Sequence, residues 1–255
     1  MAQFLILGTS AGWASAQRAS SSYLLDLGGQ GVLFDIGDGA TRNFLAAQHA
    51  PEWVTDIFIS HTDSDHTCGL GYFVQQRHLS ETTDPLAIHC PADAIPVFRA
   101  MLDLGHLFAE RIKFPIRFSP IKSGNRYAVG RARISAHPTS HCARIREFAA
   151  DHGYSNAGEC FGFRIEVGGR TLVYTADLGS TDDLDIFPRP IDTLIVDAAH
   201  VALDRLWPWA AGQNLSRIVL THYKDDFDIS RLHESKKYTA AEVTLATDGM
   251  RLPLT

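Results

Sequence analysis

Four side chains able to bind a metal ion stand within six residues in His61-Thr62-Asp63-Ser64-Asp65-His66. In an extended loop, residues two apart point the same way, so His61 and Asp63 can face one ion. Asp65 and His66, at a turn into a helix, can face a second. Imidazole together with carboxylate suits zinc, manganese or iron, and a mixed set of this kind marks a catalytic site. The plain alternative is a solvated polar loop in which Asp65 caps a helix. A lone cap does not bring two histidines with it, so metal binding is the preferred reading.

Such a loop must be held by regular structure on both sides. The apolar run before it, Ile57-Phe58-Ile59, reads as a buried strand, and residues 70–79 read as a helix. Strand-like runs recur at 3–8, 22–26, 31–35, 56–60, 86–89, 116–120, 132–137, 162–167, 170–175, 193–197, 217–221 and 243–246. Helical patterns fall at 41–49, 70–79, 94–104, 201–206 and around 235–242. Many strands with a few interspersed helices imply two packed sheets with helices outside. With 255 residues the chain can bury a large core, and it is read as a single domain over 1–255.

Composition narrows the function classes. Apolar residues make up 45% and charged residues 20%, as in ordinary globular proteins. No apolar run approaches a membrane span, and residues 1–7 have no basic region before them, so they make a poor signal peptide. Cys68, Cys90, Cys142 and Cys160 are widely spaced without a CxxC pair, which predicts reduced thiols and a cytoplasmic location. Cys68, beside the metal loop, reads as a buried structural thiol. The net charge of −6 argues against a large nucleic-acid partner, which normally wants a basic face. Arg131, Arg133, Arg144 and Arg146 are the nearest approach to such a face.

The chain resembles the metallo-β-lactamase superfamily, whose signature is His-x-His-x-Asp-His on a strand-to-helix loop. Here Asp63 replaces the second histidine. The run Leu7-Gly8-Thr9-Ser10-Ala11-Gly12, with Arg18 and Ser20-Ser21-Ser22-Tyr23-Leu24-Leu25, looks like the opening of ribonuclease Z and its phosphodiesterase relatives. Leu33-Phe34-Asp35-Ile36-Gly37-Asp38-Gly39-Ala40 and Thr247-Asp248-Gly249-Met250 resemble further segments of the same family, in its order. The resemblance implies an α/β, four-layer αββα sandwich with the metal site at one sheet edge. It also implies more ligands. On the residues alone, His137 and His141 compete after one strand-like run; the family register favours His141. Asp177 matches the family's bridging aspartate, and His222 its last histidine ligand. The implied assignment is His61, Asp63 and His141 for one ion, Asp65, His66 and His222 for the other, and Asp177 between them. The cofactors expected are two divalent ions, zinc first, with manganese or iron as the alternatives that an oxygen donor at Asp63 favours.

Two clamped ions supply hydroxide near neutral pH and stabilise charge growing on a phosphoryl or acyl oxygen. A leaving group also needs a proton. Ribonuclease Z relatives use a histidine in a His-Ser/Thr motif lying before the last ligand, and that motif is missing here. His200 is the nearest substitute, and the catalytic assignment falls on Asp65 and His200. Asp35 and Asp38 are expected to orient ligand histidines, and Trp207-Pro208-Trp209 either walls a pocket or packs on the core. Ribonuclease Z carries a long tRNA-gripping arm before the bridging aspartate, whereas residues 142–159 form only a modest insertion. The reaction expected is therefore hydrolysis of a small phosphodiester, such as a cyclic nucleotide or a cyclic phosphate sugar, with a homodimer kept open. Hydrolysis of an ester, thioester or lactam is the alternative. A metal-dependent redox or cofactor-biosynthesis protein and a decayed binding module are the remaining readings.

Overall fold

The computed structural model describes residues 2–156 and 158–254. Met1, at the head of the expected N-terminal strand-like segment, and Ala157, inside the 142–159 insertion, lie outside them. Two seven-stranded sheets lie face to face. The first contains β1 (Gln3–Gly8), β2 (Ser22–Asp26), β3 (Gly31–Ile36), β4 (Val54–Phe58), β5 (Leu86–Cys90) and β6 (Ile116–Pro120), with β14 (Arg251–Pro253) added beside β1. The second contains β7 (Arg126–Val129), β8 (Ala132–Pro138), β9 (Phe161–Val167), β10 (Arg170–Tyr174), β11 (Thr193–Asp197), β12 (Arg217–Thr221) and β13 (Glu242–Leu245). Each sheet starts as an antiparallel meander and finishes in parallel strands. The parallel half of each brings several strand C-termini to one edge.

Strand residues alternate between two cores, so central strands such as β3 are buried along their whole length. Phe4, Tyr23, Phe34 and Phe58 of the first sheet face Ile134, Phe163, Tyr174 and Val219 of the second. Ring centroids meet across the gap at 5.3 Å for Phe34–Phe163 and 4.3 Å for Tyr23–Tyr174. Burying each such side chain contributes roughly 1.5–3 kcal/mol. The intervening residues Leu24, Leu33 and Ile57 turn outward onto α1 (Ala40–Ala46), α3 (Leu70–Leu79) and α4 (Ala94–Leu104), meeting Phe44, Phe73 and Phe98. On the far side, Val173, Leu194 and Ile218 pack on α6 (Leu203–Ala211) through Leu206 and Trp207. These are the four layers of the expected αββα sandwich.

Some expectations shift. The helix expected around 235–242 is instead a 3₁₀ segment that begins and ends earlier, Ile229–Lys237, and precedes β13. Trp207-Pro208-Trp209 is no loop. It lies inside α6, where Trp207 is wholly buried in the outer core and Trp209 Nε1 donates to Asp185. The insertion contains a helix, α5 (Ala143–His152), that the sequence pattern did not reveal. Cys68 is exposed rather than buried. Asp248, in the turn before β14, accepts from Thr9 Oγ1 at 2.8 Å, Ala19 N at 2.7 Å and Asn43 Nδ2 at 3.0 Å. It thereby pins the long loop between β1 and β2.

Candidate metal centre

The site is assembled from loops that follow β3, β4, β8, β10, β11 and β12, all at one edge of the sandwich. After β4 the chain stays extended through His61 and then enters α2 (Ser64–Thr67). Asp63 occupies the N-cap position of that short helix, but its side chain caps nothing, and Asp65 lies in the first turn. The capping explanation for the acidic residues therefore fails. The backbone of this loop presses on the end of β3, where a Cβ on Gly37 would lie 2.1 Å from the Asp65 carbonyl oxygen. Only glycine fits there. Three non-glycine residues at the strand ends, Asp35, Ala176 and His222, adopt left-handed backbone with φ of 55°, 50° and 53°. Such conformations persist where surrounding contacts over-determine them.

Every residue expected as a ligand arrives at one place. His61, Asp63 and His141 form one group whose donor atoms lie within 4.8 Å of one another, and Asp65, His66 and His222 form a second. Asp177 lies between the groups. Its Oδ2 is 3.8 Å from His61 Nε2, 3.7 Å from His141 Nε2 and 3.2 Å from His222 Nε2, while Oδ1 is 3.3 Å from His66 Nε2. Within the groups, His141 Nε2 and Asp63 Oδ2 are 3.4 Å apart, as are His66 Nε2 and Asp65 Oδ2. Ligands about 2.1 Å from a shared tetrahedral ion stand about 3.4 Å from each other. The alternative at β8 resolves in the same way. His141 joins the cluster, whereas His137 points outward and pairs with Ser135 Oγ at 3.0 Å.

Burial and tautomers fit a cation. His61 and His66 are wholly buried, and the Nε2 of each has no hydrogen-bond partner; nor have Asp65 Oδ2 and Asp177 Oδ1. Buried polar atoms are seldom left unpaired, so these four converging atoms suit an ion. The opposite ring nitrogens of His61, His66 and His222 are occupied. His66 Nδ1 donates to Asp35 Oδ2 at 2.9 Å, and His61 Nδ1 donates to Ser60 Oγ at 2.9 Å. His222 Nδ1 meets Ser21 Oγ at 2.8 Å. Asp35 is itself saturated by Ser60 N, Ser60 Oγ and Tyr174 Oη, at 2.7, 2.8 and 2.6 Å. Fixing Nδ1 in this way aims each Nε2 lone pair into the cluster. Asp35 thus takes the expected orienting role. Asp38 does not: its carbonyl accepts from Ser20 N, and no described hydrogen bond joins its carboxylate to a ligand histidine. Ser21, Ser60 and Tyr174 were not singled out by sequence, because only the folded sheets bring them to the histidines.

The charge balance points the same way. Burial pushes Asp177 up, but His222 and His66 outweigh it and hold the carboxyl well below its ordinary range. Hydrogen bonds from His141 and then His61 hold Asp63 far below its own. His200 stands at the rim with 36% of its side chain exposed, and Nδ1 is 2.8 Å from Asp197 Oδ2. That hydrogen bond raises its basicity, and among the described residues no hydrogen bond engages Nε2. Asn156 Nδ2, from the insertion, donates to Thr62 Oγ1 at 3.1 Å and ties that segment to the metal loop.

Residues 32–223 match the model of the β-lactamase superfamily domain. The chain belongs to the β-lactamase superfamily. Within it, this superfamily member is 34% identical to ribonuclease Z of Chlamydia abortus over 274 aligned residues, which cover 99% of this chain and 85% of the relative. It therefore falls in the ribonuclease Z-like branch. The metallo-β-lactamase fold protein YhfI from Bacillus subtilis superposes with a TM-score of 0.78 at 21% identity, over 98% of both chains. Human tRNase Z, short form, superposes with a TM-score of 0.76 at 21% identity, over 99% of both chains. These two structures bear out the sandwich.

Membership makes the chain a metal-dependent hydrolase, and the donor set just described fits the divalent ions that the superfamily implies. One expectation is overturned. Net charge was taken to argue against a large nucleic-acid partner, yet a ribonuclease is similar along almost the whole chain. Net charge sums the entire surface, whereas binding of a polyanion depends on where the basic groups stand. As to the membrane, no helix among the described residues is long and apolar enough to cross one.

Proposed function

We propose that this chain hydrolyses phosphodiester bonds in RNA, with two divalent ions, zinc first, held by the seven clustered side chains. The observation carrying this reading is the pair of three-residue groups with Asp177 within 4 Å of a histidine in each. His61, Asp63 and His141 would hold one ion, Asp65, His66 and His222 the other, and Asp177 would serve both. Bound there, the ions lower the pKa of water and stabilise charge on the phosphoryl oxygens. The chain's own residues do the rest. Asp35, Ser60 and Ser21 keep the histidine rings from turning. Asp65 keeps a carboxylate oxygen inside the reacting space. Asp197 holds His200 Nδ1, so His200 Nε2 can deliver a proton to the departing oxygen. Similarity to ribonuclease Z along 99% of the chain supports RNA as the substrate class.

The test is metal quantification of the purified protein followed by a screen crossing metals with substrates. Its arms are an RNA with a 3′ extension, a small cyclic phosphodiester, bis-nitrophenyl phosphate and acyl esters. RNA cleavage with about two equivalents of metal is expected. Hydrolysis of acyl esters alone would overturn the phosphodiester reading, and cleavage of the cyclic compound alone would overturn RNA as the substrate.

A further inference from the structure

The outer face of the second sheet is divided. From β10 to β12 it is apolar and covered by α6. On β7, β8 and β9 the outward positions are polar instead, and Arg126, Ser135 and Arg164 are register partners across the three strands. Arg133 stands two residues before Ser135 on β8, and His137 two residues after it, on the same face. Arg126, Arg133 and Arg164 line a concavity of about 590 Å³ with Arg189. An adjoining one of about 450 Å³ shares Arg133 and Arg164 and adds Arg131 and Arg170. In a chain of net charge −6 this is a local concentration of guanidinium groups.

Some of them have structural duties. Arg164 pairs with Glu166, Arg170 with Asp192 and Arg189 with Asp185. Arg126, Arg131 and Arg133 form no salt bridge among the described residues. Edge protection does not explain all of them. A charge on β7 can guard an exposed edge, but β8 lies inside the sheet, where Arg133 stands opposite Glu166, a carboxylate already paired with Arg164.

We propose that the outer face of β7–β9 is a docking surface for the RNA backbone, distinct from the metal centre and feeding it. This rests on the RNA reading given above. β8 gives the face its direction. From Arg133 to His137 the strand runs roughly 13 Å at about 3.3 Å per residue. It ends at Pro138, three residues before His141 of the candidate centre. Guanidinium groups spaced along that path suit successive phosphates, which they can grip through paired N–H donors.

The experiment compares the unaltered protein with R126E/R131E/R133E. Binding of a labelled single-stranded RNA is read by anisotropy across a salt series, with D65N in both backgrounds to prevent cleavage. Hydrolysis of bis-nitrophenyl phosphate is read with Asp65 intact. Affinity should fall at least tenfold. The slope of log K against log salt should shrink by about 2, since each lost phosphate contact on a single strand is worth about 0.7. Turnover of the small probe should stay within twofold. R126K/R131K/R133K should keep most of the RNA affinity. If the glutamate variant fails to fold by circular dichroism, R126Q/R131Q/R133Q replaces it with the same expectation. Unchanged affinity and salt slope would overturn the docking surface, whatever the probe shows. If the unaltered protein hydrolyses no phosphodiester but loses RNA through these substitutions, the proposed reaction fails and the surface stands.

Discussion

The two ligand groups differ in how they are held. Asp65, His66 and His222 form the inner group, where both histidines are buried and the rings are braced by Asp35 and Ser21 from the first sheet. Asp63 and His141 belong to the outer group, with 53% and 15% of their side chains exposed. Among the described residues neither has a bracing partner behind it comparable to Asp35; only His61 of that group is buried and held, by Ser60. A preorganised group binds its ion without first ordering its ligands, whereas ligands open to solvent must be ordered more fully when the ion binds. The inner position should therefore keep its metal, and the outer one should exchange it and accept different metals.

The largest break in this comparison is Asp177→Ala. Asp177 lies against histidines of both groups, so turnover should fall on the order of 10³-fold and both metal equivalents should weaken. Near-native turnover with full metal content in that variant would dissolve the link between the two groups. Next comes His200→Ala, which leaves both groups intact. We expect roughly a 10²-fold loss on substrates with poor leaving groups, little change with nitrophenolate, and unaltered metal content. Equal slowing of both substrate types, or loss of a metal, would make His200 a ligand or a structural residue instead.

Asp35→Asn probes chiefly the inner group, because Asp35 meets His66 directly and His61 only through Ser60. Loss of the carboxylate behind His66 should weaken one metal equivalent by about 10–100-fold in a chelator titration, with a clearly smaller loss at the other. Equal weakening of both would mean that the groups are braced as one. The smallest effect is expected from Asp63→His at the outer group. The fold should stay intact, with preference shifted toward zinc and turnover altered only several-fold. An unchanged preference in reconstitution with zinc, manganese and iron would remove Asp63 from the ligand set.

The metal loop was legible because its four candidate ligands are neighbours in sequence. Asp177 and His222 were legible because each follows a strand-like run at the place where the family resemblance puts a ligand, and a parallel sheet gathers such positions at one edge. The bracing residues were not. Tyr174 and Asp35 are 139 positions apart, and no local pattern announces that two sheets will press them together. Trp207-Pro208-Trp209 misled for a related reason. Proline usually breaks a helix, but here the burial of Trp207 and Leu206 holds the turn in place. In α5 few apolar residues mark a buried face, and only Ala149 is buried, so the helix leaves little periodic signal. The arginine surface was partly visible through Arg131 and Arg133. Its other members needed the strand register to place them.

Asp248 carries a consequence for how the protein is made. It holds the loop that runs toward Ser21, and its partner Thr9 is 239 positions away. Ser21 in turn braces His222 across 201 positions. Contacts so distant in sequence form late, because the loops they close are long. On the ribosome, the His61–His66 segment emerges with about three-quarters of the chain still to be synthesised, and it has neither Asp177 nor His222 to work with. A nascent chain of this protein at that stage has only the four neighbouring donors of that segment. The complete ligand set proposed above can assemble only after His222 has been made, and the Asp248 turn closes later still on Thr9.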